Sequence, residues 1–287
     1  MALRALIGLL AFALLALALL TAQPPIEFSC PMDPEIRSTQ PGKCSKCGMK
    51  LEPGIREQVE YPLHLKVTPR QIPAGRELQL AFHVTDPRTG APVTKFEVVH
   101  EKLFHLFIVG QDLEYFAHVH PDARPDGMFL FRTTLPKPGV YRLLSDYYPA
   151  GGVPQLTPKT ITTAGYTAPL IPAELKPDMA PQRGENLEVE LTTEPPQPIA
   201  GMKTMMFFKL KPAEGLEPYL GAWGHMLAVS NDLIDMSHNH PFLAGGGPQV
   251  QFDVYFPREA TYRVWVQFQR LGKVNTVAFT VPVSRLK

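Results

Sequence analysis

The first chemistry the sequence offers lies in three cysteines. Cys30, Cys44 and Cys47 fall within eighteen residues, and no cysteine follows Cys47. Cys44 and Cys47 are spaced C-x-x-C, which presents two thiolates to one ion, and Gly48 lets the backbone wrap that ion closely. Cys30 supplies a third sulfur from another arm of the chain. Met32 and Met49 offer thioethers and Asp33 a carboxylate, so the donor set favours a soft ion such as Cu(I). The alternative is a Cys44–Cys47 disulfide with Cys30 left over. An odd count gathered in one cluster fits a metal site better than a disulfide framework.

Histidines carry the second chemistry. The frame H-x12-H-x-H-P occurs twice, as His105, His118 and His120 before Pro121, and as His225, His238 and His240 before Pro241. Residues i and i+2 of a strand share a face, so each His-x-His pair looks one way. A hairpin turning at Gln111-Asp112 would set His105 opposite His118, and one at Asn231-Asp232 would set His225 opposite His238. Three neutral imidazoles at cross-strand spacing suit Cu(II) or Zn(II) and leave a coordination position open. No cysteine lies near either frame, which excludes a blue-copper site there. The competing reading is a structural one, with the imidazoles bonded to backbone. Asp112 and Asp232 read as turn formers. Met226 and Met236 read as core residues, because Leu106 and Phe116 stand at the matching positions. Met202, Met205 and Met206 read as core as well. His64, His83 and His100 are not repeated and read as ordinary strand residues.

These groups need strands and turns to position them. Leu63–Val67, Glu77–Val84 and Met128–Thr134 alternate apolar and polar residues, and Asp86–Gly90 and Pro136–Gly139 read as turns. Strand texture returns at Asn186–Thr193, Met205–Lys211, Gln249–Phe256, Thr261–Gln269 and Thr276–Val283. The two regions are copies: from His105 to Pro121, seven of seventeen residues recur at an offset of 120. Farther on, Phe131, Pro136, Tyr141 and Arg142 match Phe252, Pro257, Tyr262 and Arg263. In both copies the tyrosine is expected to be buried and the arginine to point outward. The expected fold is all-β: two tandem immunoglobulin-like or cupredoxin-like β-sandwich domains behind a small cysteine module. The expected boundaries are 1–22 for a leader, 26–54 for the cysteine module, 60–165 for the first sandwich, 166–184 for a Pro-rich semi-rigid linker and 185–287 for the second sandwich.

The leader is an apolar run from Ala5 to Leu20 behind Arg4, with a cleavage point after Ala22; an uncleaved anchor is the alternative. Either way, residues beyond it are expected outside the cytoplasm, in a periplasm or similar space. A net charge of +1 leaves no basic footprint for nucleic acid. Thirty-one prolines argue for short strands and many turns.

Residues 28–53 resemble the small heavy-metal binding domain found near the N-termini of many copper-transporting P-type ATPases and of some metal-efflux adaptors. The pattern is C-P-M-x-P followed by P-G-x-C-x-x-C-G-M-x-L-x-P. It is met by Cys30-Pro31-Met32, Pro34, Pro41-Gly42, Cys44, Cys47-Gly48-Met49, Leu51 and Pro53. The family usually has histidine where this chain has Asp33, a harder ligand. The resemblance implies binding of copper, with zinc and silver as alternatives.

The sequence thus points to an extracytoplasmic heavy-metal binding protein, acting as chaperone, buffer or efflux accessory. Its partners would be metal ions and a metal-efflux or copper-enzyme protein, with membrane contact only through an uncleaved leader. One alternative is a metal-dependent enzyme at an open three-histidine site; another is an adaptor stabilised by metal. No nucleophile elbow, motif of paired carboxylates or H-E-x-x-H is present, so no catalysis is expected.

Overall fold

A computed structural model describes residues 27–32, 36–54, 59–242 and 245–286. The leader and Asp33 lie outside the described residues. Among the described residues no helix is long and apolar enough to cross a membrane. The chain divides into a small N-terminal unit and a large unit built on Glu57–Lys287.

The small unit holds three short strands, β1 (Phe28–Ser29), β2 (Arg37–Ser38) and β3 (Glu52–Pro53), in the order β2-β1-β3. Leu51 is buried, and the Ser29 hydroxyl donates to the Gly54 carbonyl at 2.7 Å.

The large unit holds two sandwiches. The first contains β4 (Leu63–Thr68), β5 (Glu77–Val84), β6 (Phe104–Gly110), β7 (Phe116–Val119), β8 (Asp122–Ala123), β9 (Phe129–Thr134), β10 (Val140–Tyr147) and β11 (Gln155–Thr162). They form two sheets, β4-β5-β9-β8 and β11-β10-β6-β7. Alternation on β5 sends Leu78, Leu80, Phe82 and Val84 inward against Leu106, Ile108, Leu143 and Tyr147 of the facing sheet. Each such burial contributes about 1.5–3 kcal/mol.

The second sandwich contains β12 (Gln182–Arg183), β13 (Glu188–Glu194), β14 (Lys203–Lys211), β15 (Leu216–Glu217), β16 (His225–Ser230), β17 (Met236–Asn239), β18 (Gln249–Tyr255), β19 (Ala260–Arg270) and β20 (Lys273–Val283). One sheet runs β12-β13-β14-β18. In the other, β19 pairs with β15, β16 and β20, and β16 with β17. Met206, Phe208, Met226, Phe252, Val266 and Phe279 fill its core.

A third cluster joins the two sandwiches. Leu106 and Ile108 of β6 face their own core, so His105, Phe107 and Val109 face the other way, and they too are buried. Phe107, Val109 and Leu144 pack there with Leu227, Val229 and Trp265. Trp265 stacks on Phe116 at 5.0 Å. The sheets carrying the histidines therefore meet face to face.

Residues 166–181, within the expected semi-rigid linker, are fastened to the sandwiches. Ala173 N–H donates to Asn231 O at 2.7 Å, Asp178 pairs with Thr280, and Ala173 and Leu175 pack on the joint's apolar cluster. Tyr141 and Tyr262 are buried, and their hydroxyls donate to the carbonyls of Lys137 (2.8 Å) and Arg258 (3.2 Å). Arg142 and Arg263, expected to point outward, are half-buried and donate to the Thr160 and Thr280 hydroxyls at 2.6 and 2.8 Å.

Candidate metal centres

In the N-terminal module a tight hairpin carries two of the cysteines. Lys43 bridges Lys50, Cys44 N–H donates to Met49 O at 2.7 Å, and Leu51 N–H to Gly42 O at 2.8 Å. Gly48 takes a φ of 75°, which a side chain would resist. Cys30 N–H is held by Ile36 O at 3.0 Å on the other arm. Cys30 and Cys44 are buried and Cys47 half-buried. Their sulfurs lie within 4.8 Å of one another. A tetrahedral ion with metal–sulfur bonds of about 2.3 Å sets its sulfurs roughly 3.8 Å apart, so small side-chain movements close the set. Met32 and Met49 are half-buried in the same loops.

The histidine hairpins turn later than the sequence suggests. Phe107 pairs with His118 and Leu106 with Val119, so the register runs on to His105 beside His120, not His118. In the second copy Leu227 pairs with His238, which sets His225 beside His240. The cause is the turn. Asp112 Oδ1 accepts from Glu114 N–H and Asp232 Oδ1 from Ile234 N–H, both at 3.1 Å, which carries the chain one residue farther. Leu113 and Leu233 follow at φ of 57° and 61°, with their side chains buried in the joint between the sandwiches. A shift of two residues keeps the side-chain face, so the histidines still converge.

In the first centre, His105 Nδ1 lies 3.1 Å from His118 Nε2 and 3.2 Å from His120 Nε2. The outer nitrogens fix the tautomers. His105 Nε2 donates to the Val99 carbonyl at 3.0 Å, and His118 Nδ1 to Gln267 Oε1 at 2.7 Å. Gln267 spends its own N–H on Thr276, which turns its oxygen toward His118. The neutral rings thus direct two lone pairs at each other with no proton between them. Tetrahedral ligation with metal–nitrogen bonds of about 2.0–2.1 Å spaces nitrogens at about 3.3 Å, close to what is seen.

The second centre repeats this with substitutions. His225 Nε2 donates to Tyr219 O at 2.9 Å, His238 Nδ1 to Asp146 Oδ2 at 2.7 Å, and the facing nitrogens are 3.3 Å apart. Here the nitrogens that converge within 4.8 Å are those of His225, His240 and His100. His100 is therefore not an ordinary strand residue. It sits on the turn Val99–Lys102, where His100 and Glu101 take φ of 47° and 65° in the type I′ manner. Its ring stacks on His240 at 3.7 Å. The matching turn, Tyr219–Ala222, carries Leu220 and Gly221 at 51° and 71°. His64 and His83 pair across β4 and β5 and stack together at 4.6 Å, as strand residues.

Burial, with the neighbouring imidazoles, holds His100 and His105 down at about 4, His120 at about 3 and His118 at about 2. His225 and His240 are held well below the ordinary range by the same causes. Burial pushes Asp146 up, but the His238 hydrogen bond and the surrounding histidines together hold its carboxyl below the usual value. At neutral pH these six rings are uncharged, the state that ligates metal.

Asp146 and Gln267 went unnoticed in the sequence because they differ. They occupy matching places, opposite His105 and His225, and each reaches the other sandwich's histidine.

Comparison with known proteins matches residues 57–165 and 182–285, more than half of the chain, to a family described as a domain of unknown function, DUF8832. The chain belongs to the DUF8832 family. The two DUF8832 segments correspond to the two sandwiches, and residues 28–53 match the heavy metal binding domain. A copper-exporting P-type ATPase of Legionella pneumophila is 40% identical over 63 residues, which is 22% of this chain and 8% of that protein. The chain thus spans under a tenth of that relative's length. Among solved structures, the adhesin InvE of Yersinia pseudotuberculosis aligns at 14% identity over 76% of this chain and 58% of its own, with a TM-score of 0.25. The Escherichia coli adhesin FdeC aligns at 14% over 83% and 70%, with a TM-score of 0.26. Scores this low establish no shared fold.

Proposed function

We propose that this DUF8832 protein binds copper or a similar soft ion outside the cytoplasm, and buffers it or passes it on as a chaperone or efflux accessory. The observation that carries this is the convergence of three cysteine sulfurs within 4.8 Å in a segment that matches the heavy metal binding domain. Soft thiolates favour Cu(I) there, with silver or zinc as competitors. The histidine centres suit Cu(II) or zinc, because their imidazole nitrogens converge and are held by outer hydrogen bonds of the kind that orient metal ligands. The match to a copper-exporting ATPase supports a place beside copper export, with an efflux or copper-enzyme protein as partner, and supports an extracytoplasmic setting.

We read these centres as binding sites, because each is a set of convergent ligand atoms held by outer hydrogen bonds. An immunoglobulin-like sandwich is favoured over a cupredoxin-like one by the tyrosines bonded back to a carbonyl four residues upstream.

The test is a titration of the reduced protein with Cu(I), Cu(II) and Zn(II) beside its Cys44→Ser variant. The expected result is one tight Cu(I) equivalent that the variant loses. Equal Cu(I) binding by parent and variant would overturn the reading.

A further inference from the structure

We infer that the two histidine centres are halves of one dinuclear site, shared between the sandwiches, that takes a pair of copper ions or similar borderline metals. This rests on the metal-binding reading above and adds to it that the ions sit side by side and unequally.

The spacing carries the first part. Within a sandwich, His105 and His118 have ring centroids 5.4 Å apart, and His225 and His238 5.6 Å. Across the joint the separations are scarcely larger. His118 lies 5.6 Å from His225, His105 lies 5.8 Å from His238 and 6.1 Å from His225, and His118 lies 6.0 Å from His238. No layer of other residues fits between rings this close. Phe107 floors both halves, stacked on His118 at 4.2 Å and tilted against His238 at 4.6 Å.

Crossed support carries the second part. Gln267 of the second sandwich holds His118 of the first, and Asp146 of the first holds His238 of the second. His100 crosses as well, bringing a first-sandwich imidazole to His225 and His240. Neither half is complete within one sandwich. The Nε2 atoms of His100 and His240 are buried with no hydrogen-bond partner, an expensive arrangement unless something accepts their lone pairs.

The halves differ by a carboxylate. A histidine backed by Asp146 is a more basic ligand than one backed by the neutral amide of Gln267, and the negative charge offsets part of the ion's charge. The half that holds His238 therefore fills first, and the second ion enters against repulsion from the first.

The test uses the whole chain with Cys30→Ser, Cys44→Ser and Cys47→Ser, so that Cu(II) meets no thiol. Cu(II) is titrated in, and bound ions and electron paramagnetic resonance intensity are recorded together. The first equivalent should give a full, isolated Cu(II) signal. The second should broaden or quench it, with a half-field transition from the coupled pair. Two bound ions with fully additive, uncoupled signals overturn the dinuclear site and leave metal binding intact, as does saturation at one ion. No bound ion overturns the histidine part of the function as well. His100→Leu, which copies the residue that the second sandwich carries in its own turn, keeps the fold. It should weaken the tighter ion about 10-fold or more, as should Asp146→Asn. Affinities unchanged in both variants would refute the assignment of the halves.

Discussion

The metal-depleted protein should lose stability steeply in mild acid. Unfolded imidazoles titrate near 6.5, whereas His100 and His105 are held at about 4 and His118 at about 2. Between those limits the unfolded chain binds more protons than the folded one, so stability falls as the pH falls below 6.5. Above 6.5 these rings are neutral in both states and contribute no slope. Because pH 5 lies about 1.5 units below the unfolded value of 6.5, each of these three rings alone costs about 2 kcal/mol there, or roughly 6 kcal/mol together. That is comparable with the whole net stability of a typical domain, about 5–15 kcal/mol. Urea unfolding in a chelator, followed by circular dichroism from pH 8 to 4.5, measures it directly. A plateau above pH 7 and a steep loss below pH 6, with at least three protons taken up on unfolding, is expected. Stability that stays flat between pH 7.5 and 5 would refute the claim that these imidazoles are buried and neutral.

Three substitutions probe other joints of the account. Gln267→Leu removes the acceptor for His118 and should weaken Cu(II) at the first centre by about 10–100-fold, read by competition titration. Trp265→Ala empties the joint beside Phe116 and should cost about 3–5 kcal/mol in denaturant unfolding while also weakening the histidine sites. Tyr141→Phe removes the hydroxyl bond to Lys137 O and should cost about 1 kcal/mol with metal binding untouched.

The sequence made some of this legible because the relevant signals are local. The cysteine module is contiguous, and its ligands are brought together by one hairpin and one neighbouring arm. The duplicated sandwiches follow from alternation and from a constant offset between the copies. The joint between them was hidden for a physical reason. Phe104–Gly110 is buried along its whole length, and an apolar run of that kind does not reveal that its second face meets another domain. The hairpin register was missed by two residues because Leu113 and Leu233 adopt positive φ, which leucine rarely does and which burial in the joint sustains here. Comparison of the copies rewards identity, and so it passed over the asymmetric parts of the site. His100 faces Leu220 in the repeat, and Asp146 faces Gln267. Alignment of the two type I′ turns, rather than of identical residues, is the signal that would have drawn His100 in.

X-ray absorption at the copper edge, on the whole reduced chain loaded stepwise with Cu(I), tests the central claim most directly. Sulfur should dominate the first shell at one equivalent, with imidazole nitrogen appearing as more copper is added. A first shell of oxygen alone, or no copper retained after desalting, would contradict it.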